Sequence, residues 1–206
     1  MTLATNHAIE FSHANTPYLR STPRKKVIKN SLLLVQQGLV LVKIGKHEYA
    51  LEPGEAFWVP FDCLTSITYF PNSTVSEVTF SSRLMTPFPT KPGYVQLPAV
   101  TEVILNKLVT QKVSDDHRAN LYSVIQDEMV SLQPKLVLSN LSAKLSDWSV
   151  EEESDLNQEQ LLVLSLREAN KRLLSGQKIE QVVEDLFAGN QEEFEQLCLL
   201  VYGKTL

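Results

Sequence analysis

The sequence predicts an α+β protein whose first half is rich in β-strands and whose second half is α-helical. Between residues 26 and 80, short runs of β-branched and aromatic residues are separated by turns about every 8 to 12 residues, which is typical of a sandwich or barrel of strands. Beyond Pro98, apolar residues recur at the three- and four-residue spacing of amphipathic helices. The change of period near this proline divides the chain into two structural halves.

The composition is that of an ordinary soluble protein. Of the 206 residues, 43% are hydrophobic and 21% are charged, so the chain has enough apolar residues for a core. No uncharged run approaches the roughly 18 to 20 residues of a membrane helix, and the N-terminus has no secretion pattern. Cys63 and Cys198 form no metal-binding spacing, so each is expected to be a buried thiol. These features favour a cytoplasmic protein.

Six short strands are expected in the first half, each bounded by residues that favour turns. Gly45-Lys46, Pro53-Gly54 and Pro71-Asn72 mark three of these turns. The expected strands cover residues 31–35, 38–44, 49–51, 56–60, 66–70 and 75–80. Strands of this length and spacing predict a closed all-β unit.

The order of these turns and strands resembles the cupin barrel, in the form found in the effector-binding half of AraC-type regulators. The resemblance is carried by Gly38 and Gly45, by the turn Leu51-Glu52-Pro53-Gly54-Glu55 and by the strand end Trp58-Val59-Pro60. It implies a barrel that can hold one small molecule. The aromatic candidates for lining that pocket, which could equally fill the core, are Phe57, Trp58, Tyr69 and Phe80.

A catalytic metal site is not expected in this barrel. In catalytic cupins, a His-x-His pair, a Glu and a further His hold the metal, whereas here His47 is followed by Glu48 and Tyr49. One imidazole with scattered oxygens is not a transition-metal ligand set. The sequence also has no glycine-rich phosphate loop and no nucleophile elbow. An enzyme is therefore disfavoured, and no metal or other cofactor is expected.

Two helices are expected after the barrel. The first covers about residues 100–109, and the second begins at a cap supplied by Ser114 or an adjacent aspartate and ends before Pro134. In AraC-type proteins, such linker helices join the barrel to the DNA-binding part and often make the dimer contact. The resemblance therefore implies a homodimer or an association with another regulator.

The C-terminal quarter carries the most specific resemblance. Residues 167–183 contain an Arg, an Ala, paired leucines, a polar turn and then an Ile and two valines, and they resemble the bridging helix and second helix-turn-helix of the AraC/XylS family. The match continues to Phe194 and to residues 201–205, and residues 138–145 resemble the first helix of the first helix-turn-helix. The implied parts are an N-terminal arm (1–25), a cupin-like barrel (26–96), linker helices (97–133) and a degenerate helical domain (134–206).

Both helix-turn-helix units depart from the family's pattern where DNA would be read. In the second unit, the groove-facing residues are Gln191, Glu192, Glu193, Glu195 and Gln196, and the carboxylates among them repel phosphates. The first unit has too few residues between Leu145 and Leu156 for a turn and a second helix. Residues 151–206 hold five basic and twelve acidic side chains, a net charge of −7, whereas the whole chain has a net charge of −5.

The sequence therefore predicts an AraC-type transcriptional regulator whose DNA contact is weakened or lost. Its barrel would sense a small molecule or form a dimer. The alternative is a cupin-type regulatory protein that does not bind DNA and acts by binding another protein through its acidic helices. The charge distribution disfavours DNA as a partner, and no membrane contact is expected.

Overall fold

The computed structural model describes residues 8–206, and within them ten strands form two antiparallel sheets. The strands are β1 (Ile9–Thr16), β2 (Arg20–Ser21), β3 (Lys25–Lys26), β4 (Lys29–Gln37), β5 (Val40–Ile44), β6 (His47–Leu51), β7 (Ala56–Val59), β8 (Leu64–Tyr69), β9 (Ser73–Ser81) and β10 (Gly93–Val95). Sheet A has the order β1-β9-β4-β7-β10. Sheet B has the order β2-β8-β5-β6, and β3 also pairs with β8.

Six helices follow the strands. They are α1 (Ala99–Thr110), α2 (Asp115–Val130), α3 (Asn140–Asp147), α4 (Gln158–Leu174), α5 (Ile179–Phe187) and α6 (Gln191–Tyr202). Ser114 caps α2 by accepting a hydrogen bond from the amide of His117, and it is one of the two kinds of cap that the sequence allows. Asn157 and Gln160 form a reciprocal capping box at the start of α4. The predicted α+β fold, a β-barrel followed by helices, is confirmed. No helix of residues 8–206 has the length and apolar character needed to span a bilayer.

The two sheets face each other, and apolar side chains fill the space between them. Every second residue of a strand points to the same face, so one set of alternating positions from each sheet meets in this interior. Its buried members are Leu33, Val35, Val40, Val42, Tyr49, Leu51, Phe57, Val59, Ile67 and Val75. The barrel therefore has a packed interior.

The outer face of sheet A is covered by the first two helices. Trp58 and Phe80 point out of this sheet and pack with Ile104 of α1 and Ile125 of α2, all of them buried. The indole N–H of Trp58 donates a hydrogen bond to the carbonyl oxygen of Pro89 at 2.9 Å. The ring is therefore fixed by apolar packing and by a hydrogen bond from its only polar atom. Helices α1 and α2 are thus a fixed layer of the barrel.

The outer face of sheet B is covered by the C-terminal helices. Leu41 of β5 and Ala50 of β6 share one buried apolar cluster with Leu164 of α4 and Phe194 of α6. Because the cluster draws on both halves of the chain, the barrel and the helices α3 to α6 (the helical region) have a common core. The molecule is layered in the order α1 and α2, sheet A, sheet B and helical region.

Helix α3 also completes the hydrogen bonding of β6, the edge strand of sheet B. The amide of Ala50 donates to the hydroxyl of Ser142 at 2.9 Å, and the amide of Glu48 donates to the hydroxyl of Ser146 at 2.8 Å. These amides alternate along β6 and point away from β5. In a larger sheet, a further strand on that side would accept their hydrogen bonds. Two serines one helical turn apart therefore substitute for a neighbouring strand.

An ion pair joins the same strand to α4. The Nη2 atom of Arg167 donates to both carboxylate oxygens of Glu48, at 2.8 and 3.0 Å, and Nζ of Lys43 lies 3.9 Å from the same group. The Glu48 side chain is only 8% exposed, so its charge depends on these partners. This Glu48–Arg167 ion pair connects residues 119 positions apart and fixes α4 on the barrel.

The N-terminal segment is part of the barrel, which differs from the arm predicted over residues 1–25. Strand β1 pairs with β9 along its whole length, and β2 pairs with β8. Ile9 and Phe11 alternate with polar residues and pack with the cluster beneath α1 and α2, which explains why this short run forms a strand. The first seven residues of the predicted arm lie outside the described residues.

Replacing Arg167 tests the ion pair that holds the helical region. We expect Arg167→Met to lower the free energy of unfolding by about 2 kcal/mol, because the buried carboxylate of Glu48 keeps only the distant Lys43. The double substitution Glu48→Met/Arg167→Met should recover most of that loss, since no unpaired charge remains buried. Urea denaturation measures both. The exposed pair between Lys171 and Glu168 is the control, and Lys171→Met should change stability by less than about 0.5 kcal/mol. An equal loss in the single and double variants would contradict the argument.

Candidate functional site

Helices α5 and α6 form a helix-turn-helix that is intact in its backbone. The turn contains Ala188 at φ 50° and Gly189 at φ 75°, both in the left-handed region that ends many helices. The rings of Phe187 and Phe194 pack across the turn with centroids 5.0 Å apart. The backbone of the unit is therefore that of a helix-turn-helix, with Ala188 in the left-handed position directly after α5.

One side of α6 is buried against the rest of the helical region. Phe194, Cys198 and Val201 are each no more than 3% exposed. Burial raises the pKa of the Cys198 thiol to about 11, so this thiol is protonated at neutral pH. The amide of Leu19, from the segment between β1 and β2, donates to the carbonyl oxygen of Val201 at 2.7 Å. Helix α6 is thus held along its buried side and at its C-terminal end.

All five residues of α6 that the sequence predicts to face a partner are accessible, although Gln191, one turn before Phe194, borders the buried side. Gln191, Glu192, Glu193, Glu195 and Gln196 are exposed. The side-chain amide of Gln191 donates to Oε1 of Glu195 at 2.7 Å. Of the two glutamines in this set, Gln191 therefore already uses its amide within the helix. Glu193 accepts a bond from the side-chain amide of Asn190 at 3.0 Å, at the start of the helix. The exposed part of α6 is therefore rich in acceptors.

Two leucines extend this surface, and the sequence analysis does not identify them. Leu199 is 51% exposed and Leu200 is 67% exposed. At 100° per residue, Leu199 follows Glu195 by one turn and Leu200 follows Gln196 by one turn. A helical projection of residues 191–202 would have shown this. We call the surface formed by Glu192, Glu195, Gln196, Leu199 and Leu200 the acidic–leucine face.

Most cations in the C-terminal quarter of the chain are engaged in ion pairs. Of the five basic residues in 151–206, Arg167 binds Glu48, Lys171 binds Glu168, and Arg172 binds Glu168 and Asp185. Lys178 and Lys204 are exposed. A phosphate backbone would therefore meet few available cations in this part of the chain.

The first helix-turn-helix lacks its second helix in the structure. Helix α3 corresponds to its predicted first helix, and residues 148–157 then run to α4 in turns and irregular backbone. Helix α3 itself is packed on β6 through Ser142 and Ser146. This part of the chain therefore offers no helix for the major groove.

The four predicted pocket residues do not line one cavity. Phe57 is buried in the barrel interior, with Tyr69 packed against it, whereas Trp58 and Phe80 lie on the other face of sheet A, beneath α1 and α2. Neighbouring residues of a strand point to opposite faces, so Phe57 and Trp58 cannot share a pocket. Phe57, Trp58 and Phe80 are core residues, and Tyr69 is a partly buried residue at the edge of the interior cluster. Burial raises the pKa of the Tyr69 phenol to about 12, and Arg20 lies over its ring at 5.8 Å.

A cleft of about 750 Å³ lies on the outside of the barrel, beside β10 and the ends of α1 and α2. Its lining includes Glu55, Tyr94, Glu102, Lys135 and Val137, and none of the four predicted aromatic residues. Within residues 8–206, no group of three or more His, Cys, Asp or Glu side chains is arranged to hold a metal ion. His47 lies in β6 and is half-buried, edge-on to Tyr49.

One carboxylate lies on the interior side of the barrel. Glu77 of β9 is two residues from the buried Val75 and so points to the same face. Burial raises the pKa of this carboxyl above its ordinary value of 4.5, while a hydrogen bond with Ser31 and the charges of Arg20 and Lys29 act in the opposite direction. Glu77 is not predictable from the sequence, because nothing in its local pattern marks it.

Comparison with known proteins shows similarity of structure at low sequence identity. Neither the protein-family models nor the curated proteins give a match to this sequence. A cupin superfamily protein from Desulfitobacterium hafniense is 18% identical over 40% of this chain and 75% of its own, with a TM-score of 0.35. ToxT from Vibrio cholerae is 10% identical over 97% of this chain and 96% of its own, with a TM-score of 0.40. The cupin domain of Schizosaccharomyces pombe Cnp3 is 13% identical over 39% of this chain and 58% of its own, with a TM-score of 0.34.

The TM-scores of these three likenesses all lie below 0.5, so none of them supports a statement about the function of this chain.

Replacing Glu77 tests the cost of its burial. A carboxyl whose pKa is raised by folding favours the folded state when it is protonated, and that contribution is lost as the pH rises through the folded pKa. We therefore expect Glu77→Gln to be more stable than the parent at pH 7 and to lose this advantage at about pH 3. Thermal unfolding at the two pH values measures the difference. The exposed Glu180→Gln is the control, and a gain of equal size at both pH values would contradict a titration origin.

Proposed function

We propose that this chain is a cytoplasmic, non-enzymatic regulator of AraC-type architecture whose helical region contacts another protein instead of reading DNA. The observation that carries the proposal is the composition of the acidic–leucine face. Glu192, Glu195, Gln196 and two exposed leucines form this face on α6, the helix that would enter the major groove, and the exposed Glu193 adds a third carboxylate to the same helix. A face of carboxylates and leucines is suited to a protein surface and unsuited to a polyanion.

Three independent features of the chain oppose DNA binding. Carboxylates near phosphates are repelled and must also lose water. Base edges in the major groove are read mainly by Arg, Lys, Asn and Gln, and among these only Gln191 and Gln196 are present on the exposed side of α6. The first helix-turn-helix has no second helix, so it cannot compensate.

The barrel would serve as the scaffold on which this contact is presented. Its interior is filled by the apolar cluster of both sheets, so a small-molecule effector would have to bind elsewhere. The cleft beside β10 offers about 750 Å³, which is within the range of small-molecule sites. An association with a second copy or with an intact regulator is part of this proposal.

A DNA-binding titration at two salt concentrations tests the proposal. We expect no sequence-specific retardation of genomic fragments by the full chain at about 50 mM salt and about 1 µM protein. The variant Glu192→Lys/Glu195→Lys should gain salt-dependent binding, because it replaces repulsion with attraction on an intact helix. Asp116→Lys/Asp127→Lys is the matched control, since it changes the net charge equally on α2, the layer opposite to α6. Specific retardation by the unmodified chain, weakening at about 200 mM salt, would overturn the proposal.

A further inference from the structure

We propose that the partner of the acidic–leucine face is a basic amphipathic helix that lies antiparallel to α6. This inference rests on the function proposed above and adds the chemistry and the direction of the partner. The face is polarised along the helix, with Glu192 and Glu195 in the N-terminal half and Leu199 and Leu200 in the C-terminal half. From Glu192 to Leu200 it spans about 12 Å, or roughly two helical turns.

The charges of the face select a basic partner. Glu192 is exposed with no ion pair among the described residues, and Glu195 is bonded only to the neutral Gln191. A Lys or Arg approaching these carboxylates would form a charge-assisted contact, while the adjacent leucines would bury apolar area. A surface with carboxylates at one end and leucines at the other is complementary to a helix that carries cations at one end of its face and aliphatic residues at the other end.

The direction follows from the electrostatics of helices. Cations are stabilised near the C-terminus of a helix and anions near its N-terminus. The glutamates of this face lie near the N-terminus of α6, so a partner whose cations lie near its own C-terminus meets them when the two helices are antiparallel. The apolar first turns of that partner then lie on Leu199 and Leu200.

Two other occupants are disfavoured by the same features. A second copy of α6 packed antiparallel would place its leucines on the glutamates of the first, and a parallel copy would oppose glutamate to glutamate. An anionic lipid surface would be repelled by Glu192, Glu193 and Glu195. A basic helix satisfies both halves of the face at once.

The face is also preorganised for binding. Phe194 and Cys198 hold the opposite side of α6 in the core, and the bond from Leu19 to Val201 fixes its C-terminal end. The Glu48–Arg167 ion pair fixes α4 on the barrel and, through the shared apolar cluster, helps to hold α6 in place. The backbone of α6 is therefore already ordered before a partner binds, which lowers the entropic cost of the contact.

The experiment uses the full chain and two synthetic peptides of about 18 residues. The first peptide has leucines along one face of its first two turns and lysines along the same face of its last two turns. The second has the same residues in reverse order. Fluorescence anisotropy measures the dissociation constants, and we expect the first peptide to bind about tenfold more tightly than the second.

Surface variants locate the contact. Leu199→Ser/Leu200→Ser and Glu192→Gln/Glu195→Gln should each raise the dissociation constant of the first peptide about tenfold. Leu174→Ser is the matched control, because Leu174 is 82% exposed on α4 and lies outside the face, and it should leave binding unchanged. All substituted positions are exposed, and circular dichroism of each variant verifies that it is folded.

Three results would contradict the assignment of a basic antiparallel helix as the partner. Equal binding of the two peptides, or equal losses in Leu174→Ser and Leu199→Ser/Leu200→Ser, would overturn the assignment of the partner. Absence of peptide binding would do the same. Titration of the same samples with DNA separates this failure from that of the proposed function, which fails only if the unmodified chain binds DNA specifically.

Discussion

The covered outer face of sheet B is the constraint on which the arrangement of the molecule depends. When the helical region covers the edge strand β6, two of its amides and the carboxylate of Glu48 lose contact with water and need partners in the protein. Helix α3 satisfies the amides through Ser142 and Ser146, and Arg167 of α4 satisfies the carboxylate. Leaving either group buried and unpaired costs more than these bonds contribute on their own, so the helical region and the barrel form one structure.

This docking determines which side of each C-terminal helix is available. The apolar side of α6 is buried in the cluster that includes Leu41 and Ala50 of sheet B, so its other side must face solvent. Arg167 is used inside the molecule, and Lys171 and Arg172 pair with acids on neighbouring turns or helices. The interactions that hold the helical region together therefore remove the cations that DNA binding would need.

The sequence is sufficient to predict the fold class, the cap of α2 and the exposed acids of α6, because each follows from local periodicity. It also contains the information that separates Phe57 from Trp58, since strand alternation alone places them on opposite faces. The role of Glu48 is different. Its partner Arg167 lies 119 residues away, and local pattern does not connect them. Strand β1 is equally hard to predict from the sequence. Most of its residues are polar and no turn residues bound it clearly, so only its pairing with the distant β9 makes it a strand.

The two leucines of α6 separate a structural role for this face from a binding role. Acidic residues at a helix start stabilise the helix, and Glu193 also bonds the cap residue Asn190, so part of the acidity is explained by the fold. That explanation does not extend to Leu199 and Leu200. They are exposed, and the buried side of α6 is formed by other residues, Phe194, Cys198 and Val201. Two adjacent exposed leucines beside unneutralised glutamates form an apolar patch, which favours association with another surface. A partner that covers both is the arrangement in which the apolar and the charged residues of this face each have a role.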